Sequence, residues 1–158
     1  MSKTILSIVI ALLSVQAAAG SAQALITHAQ AASLVLDLYP EAKIVDNKYE
    51  HKKKQGTHTY KVKILTADEV QIEVRINAVG GGFLPPGRQR QTDLAKFTPA
   101  QARSRALSFH QGGSIIKTEL KYEKNTLIYK ITIITAEYRK SEVKIDAMNG
   151  DIVQIKRK

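Results

Sequence analysis

The 158-residue sequence contains no cysteine and no tryptophan, only four prolines, and 14 acidic against 24 basic residues. Without cysteine the chain cannot form a disulfide, although an exported protein would be allowed one. It also cannot carry a lipid on a cysteine side chain. The stability of the fold must therefore come from packing alone.

Charge is almost absent from the N-terminal segment, where Lys3 is the only charged residue among the first 36. An apolar run covers residues 5–15, and small residues follow up to Ala22-Gln23-Ala24. A positive start, a short apolar run and an A-x-A end are typical of a secretory signal peptide. A membrane-spanning helix needs about 20 apolar residues, so an uncleaved anchor is the weaker interpretation. We expect residues 1–24 to be removed by cleavage after Ala24, and the protein to be periplasmic or secreted in a bacterial envelope.

No later run is long enough to cross a membrane, so we expect no transmembrane segment in the mature chain. Motifs of nucleophilic catalysis are missing as well, since the sequence has no G-x-S-x-G segment. We therefore predict a protein that is not an enzyme, with no catalytic residues and no cofactor.

The four histidines, His28, His51, His58 and His110, include no H-x-x-x-H pair. His51 and His58 flank a predicted hairpin turn and could approach each other, but a metal would need two more ligands. We expect all four to be solvated on loops and helix ends, and we predict no metal site. Metal sensing through His51 and His58 stays open as an alternative.

What the sequence does contain is an internal repeat. Residues 60–81 align without a gap onto residues 129–150, and 10 of the 22 positions are identical. Two copies indicate two small structural units. A unit of about 60 residues buries only about 60% of its unfolded surface and is marginal alone. We therefore expect the copies to pack against each other or against a partner.

Each copy begins with a helix signal. Thr27 and Thr98 each precede a glutamine by three residues, which is the spacing of a capping box. Pro99 follows at the first helical position, where its missing N–H costs nothing. We predict helices over 27–39, stopped by Pro40, and over 98–111, stopped by Gly112-Gly113. The predicted core faces comprise Ala31, Leu34, Val35 and Leu38 in the first helix and Ala102, Ala106 and Phe109 in the second.

Strands with a period of two follow each helix. The predicted strands cover residues 42–50, 56–67 and 69–78 in copy one, and 114–123, 126–136, 140–147 and 151–155 in copy two. The dipeptide Asn149-Gly150 is a strong hairpin signal. Copy one has Gly80-Gly81 there, with Pro85-Pro86 soon after, so we interpret its closing turn as degraded and its fourth strand as short or absent.

These elements predict an α+β fold of two tandem units, each with one helix packed on an antiparallel sheet of three to four strands. The first unit covers 25–84, the linker 85–96 and the second unit 97–158. Whether the two units share one sheet stays open.

The order and spacing of these motifs resemble the PepSY domain family. Copy two carries the pattern in Thr98-Pro99-Ala100-Gln101-Ala102, Tyr129-Lys130-Ile131-Thr132-Ile133 and Val143-Lys144-Ile145-Asp146-Ala147-Met148-Asn149-Gly150. Copy one carries a weaker version, with Asn77 in place of the aspartate. The resemblance implies an extracytoplasmic binding or regulatory module, as in metallopeptidase propeptides, without catalytic residues. It gives Asp146 and Gly150 the role of turn-makers, in line with the way Asp bonds its own backbone in turns.

Basic residues form three clusters. Lys52, Lys53 and Lys54 lie at a predicted hairpin tip, Arg88 and Arg90 in the linker, and residues 156–158 at the C-terminus. With a net charge of +10 they favour acidic partners or anionic surfaces. Nucleic-acid binding usually adds exposed aromatic residues, and here these fall at core or strand positions, so we expect no nucleic acid partner.

Two functions follow as hypotheses. The first is a non-enzymatic module that binds another extracytoplasmic protein and modulates or inhibits a peptidase. The alternative is a basic envelope protein that binds an anionic polymer, a lipid headgroup or a small ligand. For the alternative, the predicted binding patch is Lys52, Lys53 and Lys54.

Overall fold

The computed structural model describes residues 24–158, so the predicted signal peptide lies outside the described residues except for Ala24. The elements in chain order are α1 (His28–Leu38), β1 (Lys43–Lys52), β2 (Thr57–Leu65), β3 (Val70–Asn77), α2 (Gln91–Leu94), α3 (Pro99–Ser108), β4 (Ser114–Glu123), β5 (Thr126–Ile134), β6 (Lys140–Asp146) and β7 (Ile152–Arg157). The predicted strand ends differ from these bounds by at most two residues. Within 24–158, no helix combines the length and the apolar character needed to span a membrane.

Both long helices begin with the predicted capping box. The Thr27 hydroxyl accepts from the Gln30 N–H at 3.1 Å, and the Gln30 side chain accepts from the Thr27 N–H at 2.8 Å. Thr98 and Gln101 repeat these two bonds at 3.2 Å and 2.8 Å. Two N–H groups of each first turn are satisfied in this way, so the start of each helix is fixed locally.

The end of α3 differs from the prediction. The helix stops at Ser108 rather than near residue 111, and Phe109 is its C-cap. Phe109 was predicted to face the core, but 47% of its surface is exposed. The chain leaves the helix one turn early, so the helical periodicity no longer decides where Phe109 points.

The seven strands form one continuous sheet in the order β1 to β7. Neighbouring strands are antiparallel, except that β3 and β4 run parallel. Parallel neighbours require a crossover connection, which here contains the linker and α3. The two copies therefore share one sheet, which answers the question that the sequence leaves open.

The closing turn of copy one is not degraded. Asn77 Oδ1 accepts from the Val79 N–H at 2.9 Å, as Asp146 Oδ1 accepts from the Met148 N–H at 2.7 Å. Gly81 has a φ of +73°, close to the +78° of Gly150. The difference between the copies lies after the turn: copy one continues with a single bridge between Ile76 and Phe83 instead of a fourth strand. The prediction of a short or absent strand is confirmed, whereas that of a degraded turn is wrong.

One hydrophobic core lies between the sheet and the helices. Ala31 and Val35 of α1, and Ala102 and Ala106 of α3, have no exposed surface. They pack on the inward residues of the central strands, which are fully or almost fully buried: Tyr60, Val62, Ile64, Ile72, Val74, Leu120, Tyr129, Ile131, Ile133, Val143 and Ile145. The core crosses the boundary between the copies, so each copy helps to bury the other.

The linker is packed rather than loose. The Gln91 N–H donates to the Tyr39 hydroxyl at 2.7 Å, and the Gln91 side chain donates to the Glu73 carbonyl at 2.9 Å. Gln91 and Tyr39 are both buried, and burial raises the pKa of Tyr39 to about 12. These contacts attach α2 to the end of α1 and to β3.

Candidate functional site

The tip of the β1–β2 hairpin carries the lysines singled out in the sequence. Lys52 ends β1, a 3₁₀ turn covers Lys53–Gln55, and Gly56 closes the turn with a φ of +59°. All three lysines are exposed, and no salt bridge involves them in the part of the chain that the structure describes. The tip therefore presents three neighbouring cations to solvent.

The other two basic clusters are partly neutralised. Arg90 pairs with Asp93 at 2.8 Å, and Lys158 pairs with Glu142. Arg88 lies 6.0 Å from the centre of the Phe83 ring. Lys52, Lys53 and Lys54 are thus the best candidate for an anion-binding patch among the clusters found in the sequence.

Histidines and tyrosines cluster on the inner face beside this tip. His51 and His58 are directly opposite each other on β1 and β2, with ring centres 4.1 Å apart and planes 9° apart. The Tyr49 hydroxyl is 2.5 Å from His58 Nδ1, and His28 meets the edge of Tyr60 at 4.8 Å. The predicted approach of His51 to His58 is confirmed. Among residues 24–158, however, no group of three or more His, Cys, Asp or Glu side chains is arranged to hold a metal ion.

The histidines were expected on loops and helix ends in solvent, but His51 and His58 lie on strands, and His110 is buried. His110 is 8% exposed, and its Nε2 is 2.9 Å from the Ser141 hydroxyl on β6. Because α3 ends at Ser108, the chain turns there, which leaves Phe109 exposed and carries His110 onto the sheet. Ser141 is fully buried. The pair fastens the loop after α3 to β6.

The sheet face opposite the helices carries a network of charges in copy two. The Glu142 carboxylate accepts a 2.7 Å hydrogen bond from the Lys130 ammonium group and also contacts Lys158. Hydrogen bonds from Lys130 and Lys158 lower the pKa of Glu142 to about 2, and the bond to Glu142 raises the pKa of Lys130. This network holds most of the surface of Glu142 away from water.

A second buried carboxylate belongs to the same network. Glu119 is 5% exposed and contacts Lys117 at 2.9 Å, and Lys121 and Lys130 at 3.5 Å each. Burial alone would raise its pKa, but the Lys117 hydrogen bond and the neighbouring positive charges outweigh burial, so the pKa is lowered.

In copy one, the same face carries a row of cations that the sequence analysis missed. Lys48, Lys61 and Arg75 are directly opposite one another on β1, β2 and β3. Each has one carboxylate beside it: Asp46 and Glu73 lie two residues from Lys48 and Arg75 on the same strand, both at 3.2 Å, and Glu50 lies diagonally across from Lys61 at 2.8 Å. The sequence signal is only a charged residue at every second strand position, and the row arises from the strand register.

A protein-family comparison matches the chain twice. The model of the PepSY family, described as peptidase propeptide and YPEB domain, matches residues 25–83 and again residues 96–156. The two matched segments leave out residues 1–24, 84–95 and 157–158. No protein of curated function matches the chain.

The solved structures that are similar to the chain include the following three. A candidate lipoprotein from Clostridium difficile 630 is 20% identical over 86% of this chain and 94% of its own, with a TM-score of 0.41. The YpmB protein from Bacillus subtilis is 17% identical over 83% and 97%, with a TM-score of 0.46. The YpeB C-terminal domain from Bacillus megaterium is 9% identical over 85% and 98%, with a TM-score of 0.34.

Proposed function

Because this chain belongs to the PepSY family, whose model matches it at residues 25–83 and 96–156, we propose that it modulates or inhibits an extracytoplasmic peptidase. Domains of this family are regulatory or binding modules without catalytic residues, and they occur outside the cytoplasm. The observation that carries the proposal is the double match to a domain described as a peptidase propeptide. The signal-peptide pattern ending at Ala24 supports the same location.

The open face of the sheet offers a physical route for such binding. The helices cover one face only, and the other presents charged side chains on strands that belong to both copies. A partner that docks here would meet a preformed surface, and little conformational entropy would be lost on binding.

The test is a titration of the exported protein against the peptidases of its own envelope and medium fractions. We expect a saturable change in the cleavage of a fluorogenic peptide by at least one of them. Immobilised protein should also retain that peptidase. If no peptidase changes its rate and none is retained, the proposal is wrong.

A matched control separates regulation from competition, since any unfolded chain can act as a competing substrate. Val62 has no exposed surface, so Val62→Asp places a carboxylate in the core and unfolds the module. Inhibition that survives this change would come from the unfolded chain and would count against the proposal.

A second candidate function is binding of the protein to an anionic surface, and the free lysines of the hairpin tip favour it. Lys52, Lys53 and Lys54 are exposed and lack salt-bridge partners within residues 24–158. Binding to such a surface should weaken steeply as salt rises, because exposed charges are screened over about 10 Å at 0.1 M salt.

The measurement is co-sedimentation with phosphatidylcholine vesicles that contain or lack phosphatidylglycerol. Replacing Lys52, Lys53 and Lys54 by alanine should abolish the binding that depends on phosphatidylglycerol. The control replaces three exposed lysines from separate parts of the chain, Lys43, Lys96 and Lys140, which gives the same change in charge. Equal loss in both variants would show attraction by net charge and would exclude a patch at the tip.

A further inference from the structure

The two copies meet along only a short stretch of backbone. β3 and β4 pair from Val70–Thr118 to Ile72–Leu120, and both strands then continue without pairing to each other. The segment after the closing turn of copy one takes the place beside β3: Ile76 forms a bridge with Phe83, and the Leu84 N–H donates to the Arg75 carbonyl at 2.9 Å. A notch remains between this segment, with the start of the linker, and β4; we call it the junction notch.

One wall of the junction notch is a strand with an unpaired side. Lys121, Tyr122 and Glu123 of β4 pair with β5 on one side. On the other side, the pairing of β4 with β3 ends at Leu120, and no backbone hydrogen bond joins these three residues to residues 82–96 in the described chain. A free strand edge of this kind can pair with another extended chain.

The side of the notch that faces the helices is apolar. A cavity of about 710 Å³ lies there, and its apolar walls are Phe83, Pro85, Pro86, Leu94, Leu127 and Met148. The Met148 side chain is partly exposed, so the cavity is open to solvent.

The side of the notch on the charged face is basic. A cavity of about 500 Å³ is lined by Lys61, Arg75, Lys121 and Lys124. Two carboxylates also line it: Glu73 is bound to Arg75, and Glu123 accepts a 2.7 Å hydrogen bond from Lys144, which lies outside the lining. Lys61 and Lys121 have carboxylate partners outside the lining, Glu50 at 2.8 Å and Glu119 at 3.5 Å, whereas Lys124 has no salt bridge in the described chain. Four cations against two carboxylates leave the lining with a net positive charge. Pro85, Tyr122 and Asn125 line both cavities, so the two are adjacent across the sheet.

We propose that the junction notch binds an extended segment of a partner protein in which apolar and acidic residues alternate. Successive side chains of a strand point to opposite faces, so a strand added along Lys121–Glu123 would place one set in the apolar cavity and the other beside the lysines. This inference rests on the proposed function in that the segment belongs to a regulated partner.

The probe is a fluorescein-labelled peptide of alternating leucine and aspartate, and the measurement is fluorescence anisotropy with the exported protein. Two matched probes accompany it: alternating leucine and lysine, and the leucine–aspartate peptide with N-methylated backbone. We expect both to bind more weakly by about tenfold or more, because one reverses the charge and the other cannot donate to a strand edge.

Matched variants test the location. Lys121→Gln with Lys124→Gln should weaken the binding of the leucine–aspartate peptide by about tenfold, and Met148→Asp should weaken it from the apolar side. Lys43→Gln with Lys140→Gln removes the same charge from two exposed lysines that do not line the notch, and it should leave the affinity unchanged. Equal effects of the two lysine pairs, or full binding of the N-methylated peptide, would overturn the proposal.

Peptidase regulation and peptide binding at the junction notch can fail independently of each other. If a peptidase is regulated equally by the wild type and by Lys121→Gln with Lys124→Gln, the notch is not the regulatory site, and the proposed function stands. If the notch binds the peptide as described and no peptidase responds, the proposed function fails, and the notch stands as a peptide site.

Discussion

At the residue scale, the carboxylates of the charged face depend on lysines that come from other strands. Glu142 on β6 is held by Lys130 on β5 and by Lys158 next to β7. Its pKa of about 2 lies below the ordinary 4.5, because the two lysines stabilise the ionised form. Glu142 therefore stabilises the fold above about pH 4.5, and this contribution disappears as the pH falls towards 2.

We predict that Glu142→Gln lowers the free energy of unfolding by about 1 kcal/mol at pH 7, since water partly screens these pairs. Near pH 2 the wild-type carboxyl is partly protonated as well, so the difference between the two proteins should shrink. The difference in the free energy of unfolding is measured by urea unfolding at both pH values, followed by circular dichroism. The control is Glu41→Gln, a substitution of an exposed glutamate. An equal difference at both pH values would contradict the role of the ionised carboxylate.

Glycine is required at one position of each closing turn, but for reasons that differ. Gly150 and Gly81 both have a positive φ. A Cβ at Gly150 would lie 2.7 Å from the Phe97 ring, whereas a Cβ at Gly81 would lie 3.2 Å from the end of the Leu34 side chain. The ring is rigid and the leucine can move, so the two positions tolerate alanine differently.

We predict that Gly150→Ala lowers the free energy of unfolding by about 2–4 kcal/mol, and that Gly81→Ala lowers it by about 1–2 kcal/mol. Gly56→Ala is the matched control, since its φ is +59° and nothing lies within 4 Å of the added Cβ. The midpoint and slope of urea unfolding give the three values. If Gly56→Ala and Gly150→Ala lower the free energy of unfolding equally, the contact with Phe97 does not contribute to the loss in Gly150→Ala.

At the element scale, each helix start is determined locally and each helix position by long-range contacts. The capping boxes at Thr27 and Thr98 involve residues three positions apart, so the sequence reveals them. The end of α3 instead coincides with the bond between His110 and Ser141, which are 31 positions apart. Sequence periodicity therefore predicts where α3 begins better than where it ends.

We predict that Thr98→Ala destabilises the protein by about 1 kcal/mol, because a first-turn N–H then lacks its acceptor. Thr98→Ser retains the hydroxyl, so its loss of stability should be only a few tenths of the loss in Thr98→Ala. Thermal unfolding of the two variants against the wild type makes the comparison. The same loss in both would show that the hydroxyl bond to Gln101 is not what stabilises α3.

At the scale of the whole molecule, the duplicated units share one sheet and one hydrophobic core. Ile72 and Leu120 are partners across the junction, and neither has exposed surface. Arg103 of α3 bonds Thr118 at 3.0 Å and reaches the Asp68 carbonyl before β3. Contacts that bury each copy against the other favour a single cooperative transition.

We predict that Leu120→Ala lowers the free energy of unfolding by about 2–5 kcal/mol and affects both copies. Hydrogen exchange read by mass spectrometry should show less protection in β2 as well as in β5. Loss of protection in β5 alone would mean that the two copies unfold independently.

The sequence by itself determined the two long helices, the seven strands and their order along the chain. The capping boxes and the closing turns depend on residues a few positions apart, and each of them occurs once in each copy. The resemblance to the PepSY family was recognised from the same motifs, because they recur at fixed spacing in both copies.

Only the tertiary structure determined which residues that are distant in sequence become neighbours. The parallel pairing of β3 with β4, the burial of His110, the cation row through Lys61 and the junction notch all join residues distant in sequence. Strand register and crossover geometry set these neighbours, and both depend on how the whole chain minimises exposed apolar surface rather than on any local pattern.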